Sequence, residues 1–202
     1  MVDVTEASSL QNAARDFVER FGIPDIVIAN AGVSVGTASG LPKDLAIFRR
    51  VMDTNVFGMA ATFQPFIAPM RERASGTLAG ISSVAGFRGL PGAAAYSASK
   101  SAVISYLESL RQELRGSGVK VVTICPGYIR TQMTEVNPYP MPFLMEADKA
   151  ARKMAQFIKA KKRFVIMPWQ MALIGRLMKL LPNWLFDLAF AKVKHKPRGM
   201  LH

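Results

Sequence analysis

The sequence predicts an α/β domain built on a parallel sheet, and three observations carry that prediction. Short, wholly apolar runs alternate with longer stretches of helical periodicity. The connections between them are short, as in strand–helix–strand units. Three of the apolar runs end in polar or Gly/Pro residues, at Asn30, at Ser82–Ser83 and at Pro126–Gly127. Ligands of open parallel sheets sit at the carboxyl ends of the strands, so three such tips predict one crevice.

The elements follow in order. Ala7 to Phe21 is predicted helical, with Leu10, Ala13, Ala14, Phe17, Val18 and Phe21 on one face, Thr5 as N-cap and Gly22 as terminator. Ile26 to Ala29 has the pattern of a strand buried on both faces. A polar, Gly-rich loop follows to about Gly40. Gly32, Gly36 and Gly40 open onto no helix directly, so they are loop glycines and not a phosphate loop. Pro42 begins a helix running to about Arg73, with a bend expected at Pro65 or Pro69. Thr77 to Ile81 is the next strand and Ala93 to Arg115 the next helix, stopped by Gly116 and Gly118. Val119 to Cys125 is a third strand. Tyr128 to Met145 is loop-like, Glu146 to Ala160 helical and Phe164 to Met167 a short strand. Trp169 to Lys194 reads as amphipathic helix interrupted at Pro182.

The totals bound the partners. A chain of 202 residues, half hydrophobic and 20% charged, suits one domain with a sizeable core. The single cysteine, Cys125, permits no internal disulfide and makes no metal cluster with two histidines, so a reducing, cytoplasmic setting is expected. The N-terminus MVDVTEASSL has neither the basic region nor the apolar core of a secretory leader. The net charge of +12 is concentrated: residues 151–202 hold twelve Lys/Arg against one Asp. A basic tail with Trp169, Trp184, Phe186 and Phe190 interleaved is a candidate for peripheral membrane contact, with a solvated lid helix as the plainer reading. No nucleic-acid module is recognisable, and no nucleic-acid partner is expected.

The chemistry is concentrated in Ser82 to Lys100, SSVAGFRGLPGAAAYSASK. Tyr96 and Lys100 stand at i and i+4 of a predicted helix and share a face. A phenol, with a pKa of about 10, is a poor acid or base at neutral pH; a cation beside it favours the phenolate. Ser83, thirteen positions before Tyr96, would add a hydroxyl from a strand tip. Ser82 is the alternative, disfavoured by its spacing.

Taken together, ANAG at Ala29–Gly32, NVFG at Asn55–Gly58, ISSVAG at Ile81–Gly86, YSASK at Tyr96–Lys100 and PGYIRT at Pro126–Thr131 resemble the short-chain dehydrogenase/reductase family, and DVT at Asp3–Thr5 matches the piece after its third strand. The resemblance implies a Rossmann-like, doubly wound parallel sheet and an NAD(P)-dependent oxidoreductase acting on an alcohol, ketone or aldehyde. It implies Tyr96 as general acid/base, Lys100 as its activator and a ribose ligand, Ser83 as holder of the substrate oxygen, and Asn55 as anchor of a proton-relaying water. The alternative for Asn55 is that it simply caps or bridges backbone. The resemblance also implies Asp3 and Val4 near the adenine, Asn30, Ala31 and Gly32 along the cofactor's middle, and Pro126, Gly127, Ile129 and Thr131 at the nicotinamide. Dimers or tetramers through the two long helices are implied as well.

One departure from the family is expected to matter. The TGxxxGxG turn that holds the cofactor pyrophosphate has no match here, nor do the first two strands and helices. The sequence therefore predicts a partial Rossmann-like sheet, read as the catalytic part of a longer enzyme. A non-catalytic fragment acting through its basic tail is the alternative. Residues 1–168 are expected to form the truncated dinucleotide-binding and catalytic part, and 169–202 a basic helical segment of the same domain and a candidate lid. Met141 to Met145 would add apolar lining, which suits a lipophilic substrate.

Overall fold

The computed structural model describes residues 2–193 and 195–198. The chain opens with α1 (Ala7–Phe21), β1 (Ile26–Ala29) and α2 (Pro42–Met52). A π-helical turn over Asp53–Phe57 joins α2 to α3 (Gly58–Glu72). Then come β2 (Gly76–Ile81), α4 (Ala94–Glu113), β3 (Val119–Pro126), β4 (Ile129–Arg130) and the short α5 (Gln132–Glu135). The chain continues through β5 (Met145–Glu146), α6 (Ala147–Lys159), β6 (Phe164–Met167), α7 (Trp169–Leu180) and α8 (Asn183–Phe190).

The central sheet has the order β1-β2-β3-β6, and every pair is parallel. Val27 lies opposite Leu78, Leu78 opposite Val121, and Cys125 opposite Ile166. This register brings Ala29, Ile81, Pro126 and Met167 to one end, as parallel crossovers require. One face of the sheet packs on α3 and α4: Met59, Phe63, Leu78, Val103, Leu107, Leu110 and Val121 form a single buried cluster. In α4 the buried Val103, Leu107 and Leu110 recur at helical spacing and seat that helix against the sheet. The opposite face packs Ala79, Val122 and Ile124 against Ala150 and Ile158 of α6. The sheet is thus covered by helices on both sides, the doubly wound arrangement the sequence predicts.

Several expectations change. β1 is an edge strand and not buried on both faces. Its Ala29 is buried, but Ile26 and Ile28, on the alternate face, are 45% and 51% exposed. An all-apolar run specifies that both faces can be buried, not that an element is there to bury them. Thr5 does not cap α1; Glu6 occupies that place, while the amide and hydroxyl of Thr5 both donate to Asp3 Oδ1 at 2.9 and 2.8 Å. The irregularity in the long helix falls at the π-turn, and α3 runs on through Pro65 and Pro69. Tyr128 to Met145 holds β4, α5 and the start of β5, with β4 and β5 paired in parallel. Pro182 does separate two helices, α7 and α8.

Gly118, immediately before β3, is under tight constraint. Its φ is +82°, and a Cβ there would collide with the carbonyl of Ala74. Gly118→Ala is therefore expected to cost about 1–3 kcal/mol. Thermal unfolding should show a lower Tm than the wild type, whereas Gly40→Ala, with open space around the added methyl, should change little.

Candidate active site

The carboxyl ends of β1, β2 and β3 open into a cleft of about 620 Å³. Asn30, Ala31 and Gly32 line one side, Pro126, Gly127, Ile129 and Thr131 another, and Ser83, Tyr96 and Lys100 stand between them. Ten of the thirteen residues singled out in the sequence thus share one cavity. Adjoining it is a smaller, largely apolar cavity of about 270 Å³. The two share Ser83, Tyr96, Gly127, Met133 and Thr134.

Each side chain is held by an identifiable element. Tyr96 sits in the first turn of α4, and Lys100 one turn on, with its Nζ 5.7 Å from the Tyr96 ring centre. Lys100 is buried and donates to the carbonyl of Ile81 at 3.0 Å. The Ser82 hydroxyl donates to the Lys100 carbonyl at 2.8 Å, so Ser82 ties β2 to α4. Ser83 begins a 3₁₀ turn over Val84–Gly86, and its hydroxyl accepts from the Ala85 amide at 3.1 Å. Both serines border the main cleft with Tyr96, but only Ser83 also lines the smaller cavity, and the Ser82 hydroxyl is already committed to the Lys100 carbonyl.

Asn55 lies behind the cleft and is fully buried. Its Oδ1 accepts from the Val33 amide at 2.8 Å; its Nδ2 donates to the Val33 carbonyl at 3.0 Å and to Ser99 Oγ at 2.9 Å. Ser99 Oγ in turn donates to the Tyr96 carbonyl at 2.8 Å. Both amide hydrogens of Asn55 are therefore committed, and the side chain bridges the loop after β1 to α4. A Cβ on Gly32 would stand 3.2 Å from Asn55 Oδ1 and 3.5 Å from Lys100 Nζ, so a bare glycine lets the cleft wall approach both.

Asp3 and Val4 lie outside the main cleft. Asp3 is exposed, and the Thr5 amide and hydroxyl hold its carboxyl below the usual range. Val4 packs against Gly58 beside a small hollow that also touches Ala29, Asn30 and Ala31.

Burial governs the titrating groups. It pushes the Tyr96 phenol up, with the Ser83 hydroxyl pulling weakly the other way. It lowers Lys100 to about 8 and raises the Cys125 thiol to about 12, which makes Cys125 an inert strand residue. Lys196, Ser34, Tyr128 and Tyr139 also line the smaller cavity, and sequence reasoning assigned none of them a role there. No local pattern marks them, because Lys196 reaches the cavity by a long-range return of the tail. Among the described residues no cluster of three or more His, Cys, Asp or Glu could hold a metal ion.

A family model described as short chain dehydrogenase matches residues 1–139. The chain belongs to the short-chain dehydrogenase family. Over 193 residues it is 44% identical to an uncharacterized oxidoreductase of Myxococcus xanthus, an alignment covering 96% of this chain and 76% of that protein. It is 37% identical over 133 residues to dehydrogenase/reductase SDR family member 7B of Mus musculus, covering 65% of this chain and 41% of that one. The fold superimposes on a short chain dehydrogenase from Burkholderia cenocepacia, solved in complex with NADP, with a TM-score of 0.80 and 22% identity, covering 95% of this chain and 77% of that one. The Rossmann-like architecture inferred from the family's motifs is therefore present in this chain.

Lys100 has a consequence for stability. Below about pH 8 the lysine is protonated in both folded and unfolded chains, and its desolvation penalty is fully present. Between about 8 and its ordinary 10.5 the folded state gives up the proton first, so the penalty fades and stability rises with pH. The change is on the order of 3 kcal/mol. Lys100→Met should remove its share of that rise while the share of Lys196, lowered likewise to about 8, remains, and chemical denaturation at a series of pH values would read a flatter profile than the wild type's.

Proposed function

We propose that this chain carries the catalytic and substrate-binding parts of an NAD(P)-dependent oxidoreductase that interconverts an alcohol and a ketone or aldehyde. The observation that carries the proposal is the convergence of Ser83, Tyr96 and Lys100 on one cleft at the strand tips. The cleft fits the nicotinamide end of a dinucleotide. It is walled by the backbone of Asn30–Gly32 and Pro126–Gly127, Thr131 offers a hydroxyl, and no carboxylate lines it to repel a phosphate. Those residues and Lys100 would hold the cofactor, which when bound supplies or accepts the hydride.

The chain's own residues manage the proton. A substrate oxygen between Ser83 and Tyr96 accepts hydrogen bonds from both hydroxyls. Burial keeps Tyr96 protonated in the resting site, so it starts as the acid. As negative charge builds on the substrate oxygen, that oxygen becomes far more basic than a phenolate and takes the proton. The Lys100 cation then stabilises the phenolate left behind. Asn55 acts by position, holding the Val33 loop and α4 in register. The reverse reaction uses the same groups in reverse order.

Tyr96→Phe keeps the ring and removes the proton. It is expected to lower turnover by about 10²–10⁴-fold. NAD(P)H affinity, read by fluorescence titration, should stay close to the wild type's. Turnover retained in that variant would remove Tyr96 from the role.

A second observation bears on partners. On α7, Trp169, Leu173, Leu177 and Leu180 form one outward stripe, with Trp169 73% and Leu180 81% exposed, while Met171 and Gly175 face inward. Arg176 and Lys179 flank it, and Trp184 and Leu188 of α8 are also exposed. A helix apolar on both sides, edged by cations, suits the interface of an anionic lipid surface. No helix among the described residues is long and apolar enough to cross a membrane. Co-sedimentation with phosphatidylserine-rich vesicles should therefore be seen, and should be lost in Leu173→Asp/Leu177→Asp. A wild type that stays in the supernatant, or one that forms a dimer broken by the same pair of substitutions, would overturn the lipid reading.

A further inference from the structure

The smaller cavity has an unusual floor. Its walls are largely apolar, including Leu90, Ile174, Met178 and Phe190, yet Lys196 opens into it and is only 8% exposed. No carboxylate among the described residues lies within ion-pair distance of Lys196. Its Nζ donates to two neutral acceptors, Ser34 Oγ at 2.9 Å and the Met133 carbonyl at 3.2 Å. An ammonium has three hydrogens, so one remains. A buried cation without a counter-charge is costly to keep, and Lys196 is lowered to about 8 by that burial alone.

The tail that delivers Lys196 is firmly tied. The Gly36 amide donates to the Pro197 carbonyl at 3.1 Å. Arg198 makes two bonds of 2.9 Å to the carboxylate of Asp44, which is itself buried and also accepts from the Ala38 amide at 2.7 Å. Gly36 leaves no room for a Cβ against the backbone of Lys196 and Pro197, and Gly92 none against His195. Bidentate Arg–carboxylate pairs fix geometry as well as charge. Lys196 is thus held at the cavity by anchors on both the β1 loop and α2.

We infer that Lys196 is the recognition residue for a carboxylate on the substrate, so that the preferred substrates are short oxo- or hydroxy-acids with an apolar body. The carboxylate takes the free N–H of Lys196 and supplies the missing counter-charge. The apolar walls enclose the carbon chain, and the carbonyl or alcohol lies at Ser83 and Tyr96, which line the same cavity. A volume of about 270 Å³ suits a small ligand. This inference rests on the proposed oxidoreductase reading of the same site.

The test separates the two. Thermal shift and calorimetry on the protein, with no turnover required, compare a short oxo-carboxylic acid with its methyl ester. The acid should bind roughly 10–100-fold more tightly than the ester. Lys196→Met should erase that preference while leaving ester binding unchanged, and Lys196→Arg should retain it. Loss of an unpaired buried charge makes a stable Lys196→Met protein the expected outcome. Should that variant fail to fold, the wild-type comparison and Lys196→Arg still decide. Equal binding of acid and ester by the wild type, or an acid preference surviving in Lys196→Met, overturns the inference. Kinetics on the same pair then address the parent reading: acid-selective binding without NAD(P)H oxidation would keep the anion site and remove the reaction.

Discussion

The site depends first on one buried amide. Asn55 binds both backbone groups of Val33 and the hydroxyl of Ser99 at once, and Ser99 holds the carbonyl of Tyr96. Three pieces of chain far apart in sequence meet there: the loop after β1, the π-turn between α2 and α3, and the first turns of α4. Each bond satisfies a polar group that burial would otherwise leave stranded, so the register of α4 against the β1 tip is fixed by the cost of breaking any one of them. Lys100 follows Ser99 directly and inherits that placement. The π-turn belongs to the same arrangement. An extra residue in the helical turn changes the face on which Asn55 points, and such turns recur at functional sites.

The second constraint is the common ending of the parallel strands. The ladder from β1 to β6 aligns their carboxyl ends, so the polar tips after β1, β2 and β3 cannot avoid one another. This is why so much of the cleft was readable from the chain. Asn30, Ser83 and Pro126 were identifiable because each follows an apolar run, and Tyr96 and Lys100 because helical spacing puts them together. What escaped reading lacked a local signature. Ile26 and Ile28 look like buried strand residues whether or not an element covers them. Thr5 looks like an N-cap, and only the competing carboxylate of Asp3 engages it otherwise. Lys196 sits in a stretch of dispersed cations, and its place is set by Asp44 and Gly36, more than 150 positions earlier.

The two buried lysines give the cavities a common electrical character. Lys100 and Lys196 are each desolvated, and neither makes an ion pair among the described residues. Among the described residues no Asp or Glu lines either cavity. In a poorly screened interior such fields reach several ångströms with little attenuation. On the proposed reading they would favour an anionic substrate group, a developing alkoxide and a phenolate over their neutral forms. Burial chiefly, with Cys125 adding to it, raises the Tyr96 phenol, which on the proposed reading keeps its proton in place before reaction. The positive surroundings lower the cost of the charge that appears as the proton leaves. If the proposed reaction runs here, the stability given up to bury these cations is placed where negative charge would develop, which is the sense in which preorganised electrostatics favour a transition state over a ground state.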